Sequence, residues 1–266
     1  MAFLQVQFYS DTLTVASSVY VILPEPRQGI GMKAAAADEP PKVLYLLHGY
    51  SDDHTIWMRR TSVERYAAEY NLAVIMPAVN HSFYTNEAQG EKYWDYVSEE
   101  LPEVMHRFFR LSKKPEDTYV AGLSMGGYGA MKLGLTRPGR YAAVASLSGA
   151  LDMLGNYERR KKINPDYLAE MDDIYGSEKQ LKNGKGNLNR LADKLAKTPE
   201  KAPKMYVACG TEDFLFAANE GFHARYGKVF DMEYHTEPGI HNWPFWNRHI
   251  ERVLAWLPLE KAKEEE

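Results

Sequence analysis

The chain has 266 residues, 45% of them hydrophobic, enough to bury one sizeable core, and we read residues 1–266 as a single α/β domain. Lys and Arg number 32 against 36 Asp and Glu, a formal net charge of −4 that offers no electrostatic footprint for nucleic acid or an anionic membrane. The longest apolar runs are strand-sized, far short of a membrane span. Cys209 is the only cysteine, which excludes an intramolecular disulfide. With an N-terminus that shows no basic region, apolar stretch or cleavage site, it points to the cytoplasm.

Alternation at Gln5 to Tyr9 and a β-branched run from Val15 to Leu23 predict two strands, the second stopped by Pro24 and Pro26. A loop of Gly, Ala, Asp and Pro (Gln28 to Pro41) leads into Val43 to Leu47, a continuous apolar run suited to a central strand covered on both faces. Ser62 to Tyr70 reads as a helix, Leu72 to Pro77 as a buried strand, and Tyr96 to Phe109 as a helix with Asp95 at its N-cap. Thr118 to Ala121 is a strand, Gly127 to Leu135 a helix and Ala142 to Leu147 a strand. Lys204 to Cys209 and Asp231 to His235 supply the last strands, and Arg248 to Leu257 closes as a helix. Strands alternating with helices imply a mostly parallel central sheet flanked by helices. Leu154 to Pro203 breaks the rhythm with a charged, patchily helical stretch, read either as a small insertion or cap beside the sheet or as a solvated helical excursion. The tail from Glu260 is too charged to bury.

Gly122-Leu123-Ser124-Met125-Gly126 fits G-x-S-x-G, with the strand before and the helix after that a nucleophile elbow requires. Small residues at Gly122, Gly126 and Gly127 let strand and helix pass closely around the serine. A hydroxyl nucleophile needs a base, and the base an orienting carboxylate. In this arrangement the chain order is Ser, then Asp or Glu, then His. Asp213 lies just past the strand ending at Cys209, with Glu212 beside it as the second choice. Of the eight histidines, His48, His54, His81 and His106 precede the serine, and His223, His235 and His249 fall within predicted helices or a strand. His241 stands in the loop between the last strand and last helix, and is the expected base. The oxyanion donors are expected at the N–H of Met125 and the N–H of Tyr50, with Gly49 letting the backbone turn in.

With these residues in place, the chain resembles the tributyrin-esterase branch of the esterase D-like family of α/β-hydrolases, which also includes S-formylglutathione hydrolases. The resemblance is carried by Leu46 to Ser51, the Trp57 and Arg60-Thr61 region, Tyr96 to Pro102, Ala121 to Gly129, Ser148 to Leu151, Cys209 to Leu215 and His241 to Trp243. It implies an α/β-hydrolase fold, a triad of Ser124, Asp213 and His241, an oxyanion hole at Tyr50 and Met125, and hydrolysis of short acyl esters. Release of sugar acetyl groups or plant aromatic acids uses the same triad and remains an alternative. The glutathione branch usually carries a serine where this chain has His48, which sets formylglutathione hydrolysis behind these. His48, Gly49, Trp57 and Trp243 are candidate substrate contacts, while Tyr84, Trp94 and Phe245 lie near the site as pocket or core. The chemistry calls for no metal and no organic cofactor, and the expected partner is a small-molecule ester. Whether the chain forms a homo-oligomer stays open.

Overall fold

A computed structural model describes residues 1–25, 39–162 and 165–260. The predicted loop up to residue 38, and the charged tail beyond residue 260, lie outside the described residues. Eight strands form one sheet in the order β1-β2-β4-β3-β5-β6-β7-β8. They are β1 (Ala2–Ser10), β2 (Val15–Leu23), β3 (Lys42–Leu47), β4 (Leu72–Pro77), β5 (Thr118–Leu123), β6 (Ala143–Leu147), β7 (Lys204–Gly210) and β8 (Met232–Glu237). β1 and β2 make an antiparallel hairpin that joins β4 antiparallel, and the remaining pairings, from β4 to β8, are parallel.

The helices are α1 (Ile56–Arg60), α2 (Val63–Ala67), α3 (Tyr93–Asp95), α4 (Leu101–Phe108), α5 (Met125–Thr136), α6 (Met153–Lys161), α7 (Pro165–Tyr175), α8 (Glu178–Asn183), α9 (Leu188–Leu195), α10 (Phe216–Tyr226) and α11 (Trp243–Trp256). The two-residue period of β3 assigns them to layers. Val43, Tyr45 and Leu47 face a cluster that holds the apolar sides of α4, α5 and α10. Leu44 and Leu46 face a second cluster built on α1, α2 and α11. Both faces of β3 are therefore covered, as its unbroken apolar run requires.

Residues 153–195 form four helices whose buried side chains, among them Tyr157, Met171, Leu181 and Leu191, belong to the same cluster as α5. Through α9, this segment packs beside α5. Among the described residues no helix is long and apolar enough to cross a membrane.

Three helix starts differ from expectation. α5 begins at Met125, two residues before Gly127. α11 begins at Trp243 rather than Arg248, because Asn242 caps it through a hydrogen bond from the Phe245 N–H (3.2 Å) and Pro244 sits in its first turn. Asp95 precedes the π-helical turn Tyr96–Glu100 as expected, but with helical φ and ψ and no side-chain capping bond. It ends α3, and its N–H donates to Asn86 Oδ1 (3.0 Å). A π-helical turn, Tyr96–Glu100, then joins α3 to α4, with the Leu101 N–H bonding the Tyr96 carbonyl five residues back. Pro102 follows at once and has no N–H to sustain the ordinary register.

Candidate active site

The carboxyl ends of β3, β5, β6, β7 and β8 deliver their loops to one cleft, the usual place for a site in an open α/β sheet. Ser124 occupies the turn between β5 and α5 with φ +53° and ψ −114°, a left-handed conformation rarely held by a non-glycine residue. Its N–H is tied to the Leu147 carbonyl (2.8 Å), and its carbonyl accepts from the N–H groups of Tyr128 and Ala150. These bonds hold a turn that costs on the order of 1–3 kcal/mol in isolation. A Cβ on Gly126 would lie 2.3 Å from the Leu47 carbonyl oxygen, so only glycine lets α5 start directly against the end of β3. That contact sets the elbow beside the loop that follows β3.

His241 reaches Ser124 from the β8–α11 loop, with Nε2 3.0 Å from Oγ. Its Nδ1 is 2.8 Å from Asp213 Oδ2, and the other Asp213 oxygen accepts from the Leu215 N–H (2.8 Å). A carboxylate only accepts, so Nδ1 carries the proton and Nε2 presents a lone pair to the serine hydroxyl. The Asp213 carboxylate is wholly buried and the imidazole mostly so. Trp246 meets the imidazole edge-on at 4.8 Å and Phe214 packs at 4.5 Å, fixing the ring plane.

Glu212, the second choice for the acid, points elsewhere. Its carboxylate accepts from the Gly239 N–H (2.6 Å) and the Thr211 hydroxyl (2.8 Å), and the Gly239 amide holds it below the usual carboxylate range. It braces the His241 loop without touching the imidazole.

Met125 is the first residue of α5, so its N–H has no carbonyl partner inside the helix, and the residue lines the cleft. Gly49 and Tyr50 line the same cleft from the β3–α1 loop. A Cβ on Gly49 would lie 2.6 Å from Leu123 Cδ1 and 2.8 Å from Asp52 Oδ2, so those two side-chain ends would have to shift.

His48 and Trp57 are not where a substrate contact would put them. His48 is buried, donates from Nδ1 to the Gly49 carbonyl (2.7 Å) and accepts at Nε2 from the Val79 N–H (3.0 Å). It is a strut under the loop, kept neutral because burial lowers its pKa to about 4. Trp57 is fully buried, donates to the Leu47 carbonyl (3.0 Å) and stands edge-on behind Trp243 at 5.4 Å. Tyr84, Trp94 and Phe245 are core residues as well. Trp243 does line the cleft, as expected.

His48 and His249 together predict an acid sensitivity. Burial also pushes His249 to about 4, where its Nδ1 meets the Tyr206 hydroxyl (3.0 Å). Unfolded imidazoles take up protons near pH 6.5, whereas these two resist until about pH 4, so acid favours the unfolded chain. Stability should be fully present above pH 6.5 and fall through the window down to about 4, by about 1.4 kcal/mol per pH unit for each ring. Thermal melting from pH 7.5 to 4.5 reads this, and His249→Gln should flatten the slope. A Tm unchanged over that range would contradict it.

The cleft has a volume of about 430 Å³, suited to a small molecule. The sequence reading missed Phe83, Phe214 and Trp246 on its walls, and also Asn156 and Tyr167, which come from the four-helix segment. Phe214 follows Asp213 directly and Trp246 lies one helical turn after Trp243, so those two had a local signal. Asn156 and Tyr167 had none.

The "Putative esterase" family model matches residues 10–257. An acetyl esterase of Caldicellulosiruptor saccharolyticus is 30% identical over 272 residues, covering 97% of this chain and 98% of that one. The fluorophosphonate-binding serine hydrolase F of Staphylococcus aureus, solved with substrate bound, is 35% identical at a TM-score of 0.84, covering 96% and 98% of the two chains. An S-formylglutathione hydrolase from the same organism, solved as apoenzyme, is also 35% identical, with a TM-score of 0.81 and the same coverage. The chain belongs to this esterase family, and with its α/β-hydrolase fold it is a carboxylic ester hydrolase.

Proposed function

We propose that the chain is a serine carboxylesterase acting on short acyl esters through Ser124, His241 and Asp213. The observation that carries this is the unbroken run of two hydrogen bonds from Ser124 Oγ through the imidazole to the buried Asp213 carboxylate. His241 takes the Ser124 proton as Oγ attacks the ester carbonyl, and Asp213 holds the tautomer and stabilises the imidazolium. The N–H groups of Tyr50 and Met125 receive the oxyanion. The imidazolium gives its proton to the departing alcohol. His241 then draws a proton from water, which attacks the acyl-serine, and returns it to Ser124 Oγ as the acyl C–Oγ bond breaks and the acid leaves.

A small acyl group suits a cleft of this size walled by aromatic rings, and the acetyl esterase relative supports that end of the range. Asp52 favours a neutral substrate. It lines the cleft, and an anionic substrate such as a glutathione thioester would meet its carboxylate. The free, buried Cys209 suits a reducing compartment, and a cytoplasmic location belongs to this reading.

Purified protein should release p-nitrophenol from p-nitrophenyl acetate and butyrate, and a fluorophosphonate should label Ser124 stoichiometrically with loss of turnover. Absence of both turnover and labelling would sink the proposal. Faster cleavage of S-formylglutathione than of either aryl ester would move the substrate class to thioesters.

A further inference from the structure

Tyr50 contributes more than its main chain. Its ring stacks on the His81 imidazole at 4.0 Å between centroids and 18° between planes. Its hydroxyl donates to one carboxylate oxygen of Glu170, while His81 Nδ1 donates to the other (2.8 Å). One carboxylate on α7 thus grips two rings from two different loops, those after β3 and after β4. Tyr167, one turn earlier on α7, lines the cleft with its ring 6.2 Å from Tyr50.

The loop that presents His81 is itself held under strain. Asn80, Phe83 and Tyr84 all have φ between +47° and +50°, a conformation costing on the order of 1 kcal/mol or more for each such residue. One local and two longer-range bonds keep it so: the Tyr84 N–H donates to Ser82 Oγ (3.1 Å), Asn80 to the Tyr93 hydroxyl (2.6 Å), and the Tyr84 hydroxyl to the His48 carbonyl (3.0 Å). A stiff loop therefore presses His81 against Tyr50 from one side, and Glu170 closes on both from the other. The preceding residue, Gly49, brings little rigidity of its own.

We infer that Glu170 is a positioning residue: by clamping Tyr50 against His81, the four-helix segment fixes the direction of the Tyr50 N–H toward the oxyanion. This rests on the reading of that N–H as an oxyanion donor. A clamp of this kind acts on the tetrahedral intermediate and not on the ground-state ester, so it belongs in kcat rather than in KM.

The test uses the full chain and p-nitrophenyl butyrate, with melting temperature followed throughout. Losing a donor outright costs about 10²–10³ in kcat, and loosening one should cost about tenfold. Glu170→Ala is therefore expected to lower kcat about tenfold with KM within about twofold, and to weaken a trifluoromethyl ketone inhibitor in proportion. Glu170→Gln, whose amide oxygen still accepts from the Tyr50 hydroxyl, should recover most of the loss. Tyr50→Phe should match Glu170→Ala, and the double variant should add little to either. If Glu170→Ala does not fold, Tyr50→Phe decides alone. A lowered Tm with kcat intact, or a raised KM at unchanged kcat, overturns the inference. Tyr50→Pro removes the N–H itself. If it is no worse than Tyr50→Phe, the oxyanion reading fails. If Tyr50→Phe behaves as wild type beside a crippled Tyr50→Pro, only the clamp fails.

Discussion

Ser124→Ala should lower kcat on p-nitrophenyl butyrate by about 10⁶, leaving only what binding and the oxyanion donors supply without a nucleophile. The substitution removes one oxygen and asks nothing new of the backbone, since alanine meets the same strain as serine at φ +53°. Melting temperature should therefore hold or rise slightly, as stability and function often trade at such sites. Two other hydroxyls lie close enough to be rivals. Ser51 lines the cleft, and Ser148 has φ +49° and accepts the Trp246 indole N–H (3.1 Å). Neither is hydrogen-bonded to an imidazole, so neither has a base to take its proton. Residual turnover above about one part in 10³, or fluorophosphonate labelling that persists in the variant, would transfer the role to one of them.

Much of this site was legible because its parts obey order as well as type. The elbow needs a strand before Ser124 and a helix after it, and apolar patterning reveals both. Asp213 and His241 follow in the order that strands β7 and β8 impose, each just beyond a strand's carboxyl end. Chain order also removed four of eight histidines before any geometry was known. The sheet was legible for a related reason: strands covered on both faces read as unbroken apolar runs, while the edge strand β1, with one open face, alternates.

What failed was direction. His48 and Trp57 sit close in sequence to the oxyanion loop, yet both turn away from the cleft and spend their polar atoms on backbone. Sequence proximity says that a residue is near a site, not which side of the sheet its side chain takes. The four-helix segment failed differently. Its composition reads as solvated surface, but helical periodicity hides Tyr167 and Glu170 on one face of α7, aimed at loops more than 80 residues away. The start of α11 was readable in principle, since Asn242 before Trp243-Pro244 is an N-cap followed by proline in the first turn.

Asp213→Asn should cost about 10⁴ in kcat, while Glu212→Gln should cost about fivefold or less. The two acids are adjacent in sequence and opposite in circumstance. Asp213 is buried, with one oxygen on His241 Nδ1 and the other on the Leu215 N–H. Asparagine there keeps the shape, but when its NH₂ faces Nδ1 it selects the tautomer whose Nε2 already bears a proton and cannot accept one from Ser124. It also leaves the imidazolium of the transition state without a counter-charge. Glu212 is solvent-exposed and holds the Gly239 N–H, two residues before His241. Glutamine can still accept that bond, and at an exposed site solvent screens the lost charge, so the expected loss is small. The effect should be a slightly looser His241 loop, seen as a lower Tm. The ratio of the two losses is the measurement that matters. If Glu212→Gln proved the more damaging, the imidazole in solution would be oriented by a carboxylate other than the one it faces here, and the acid would have to be reassigned.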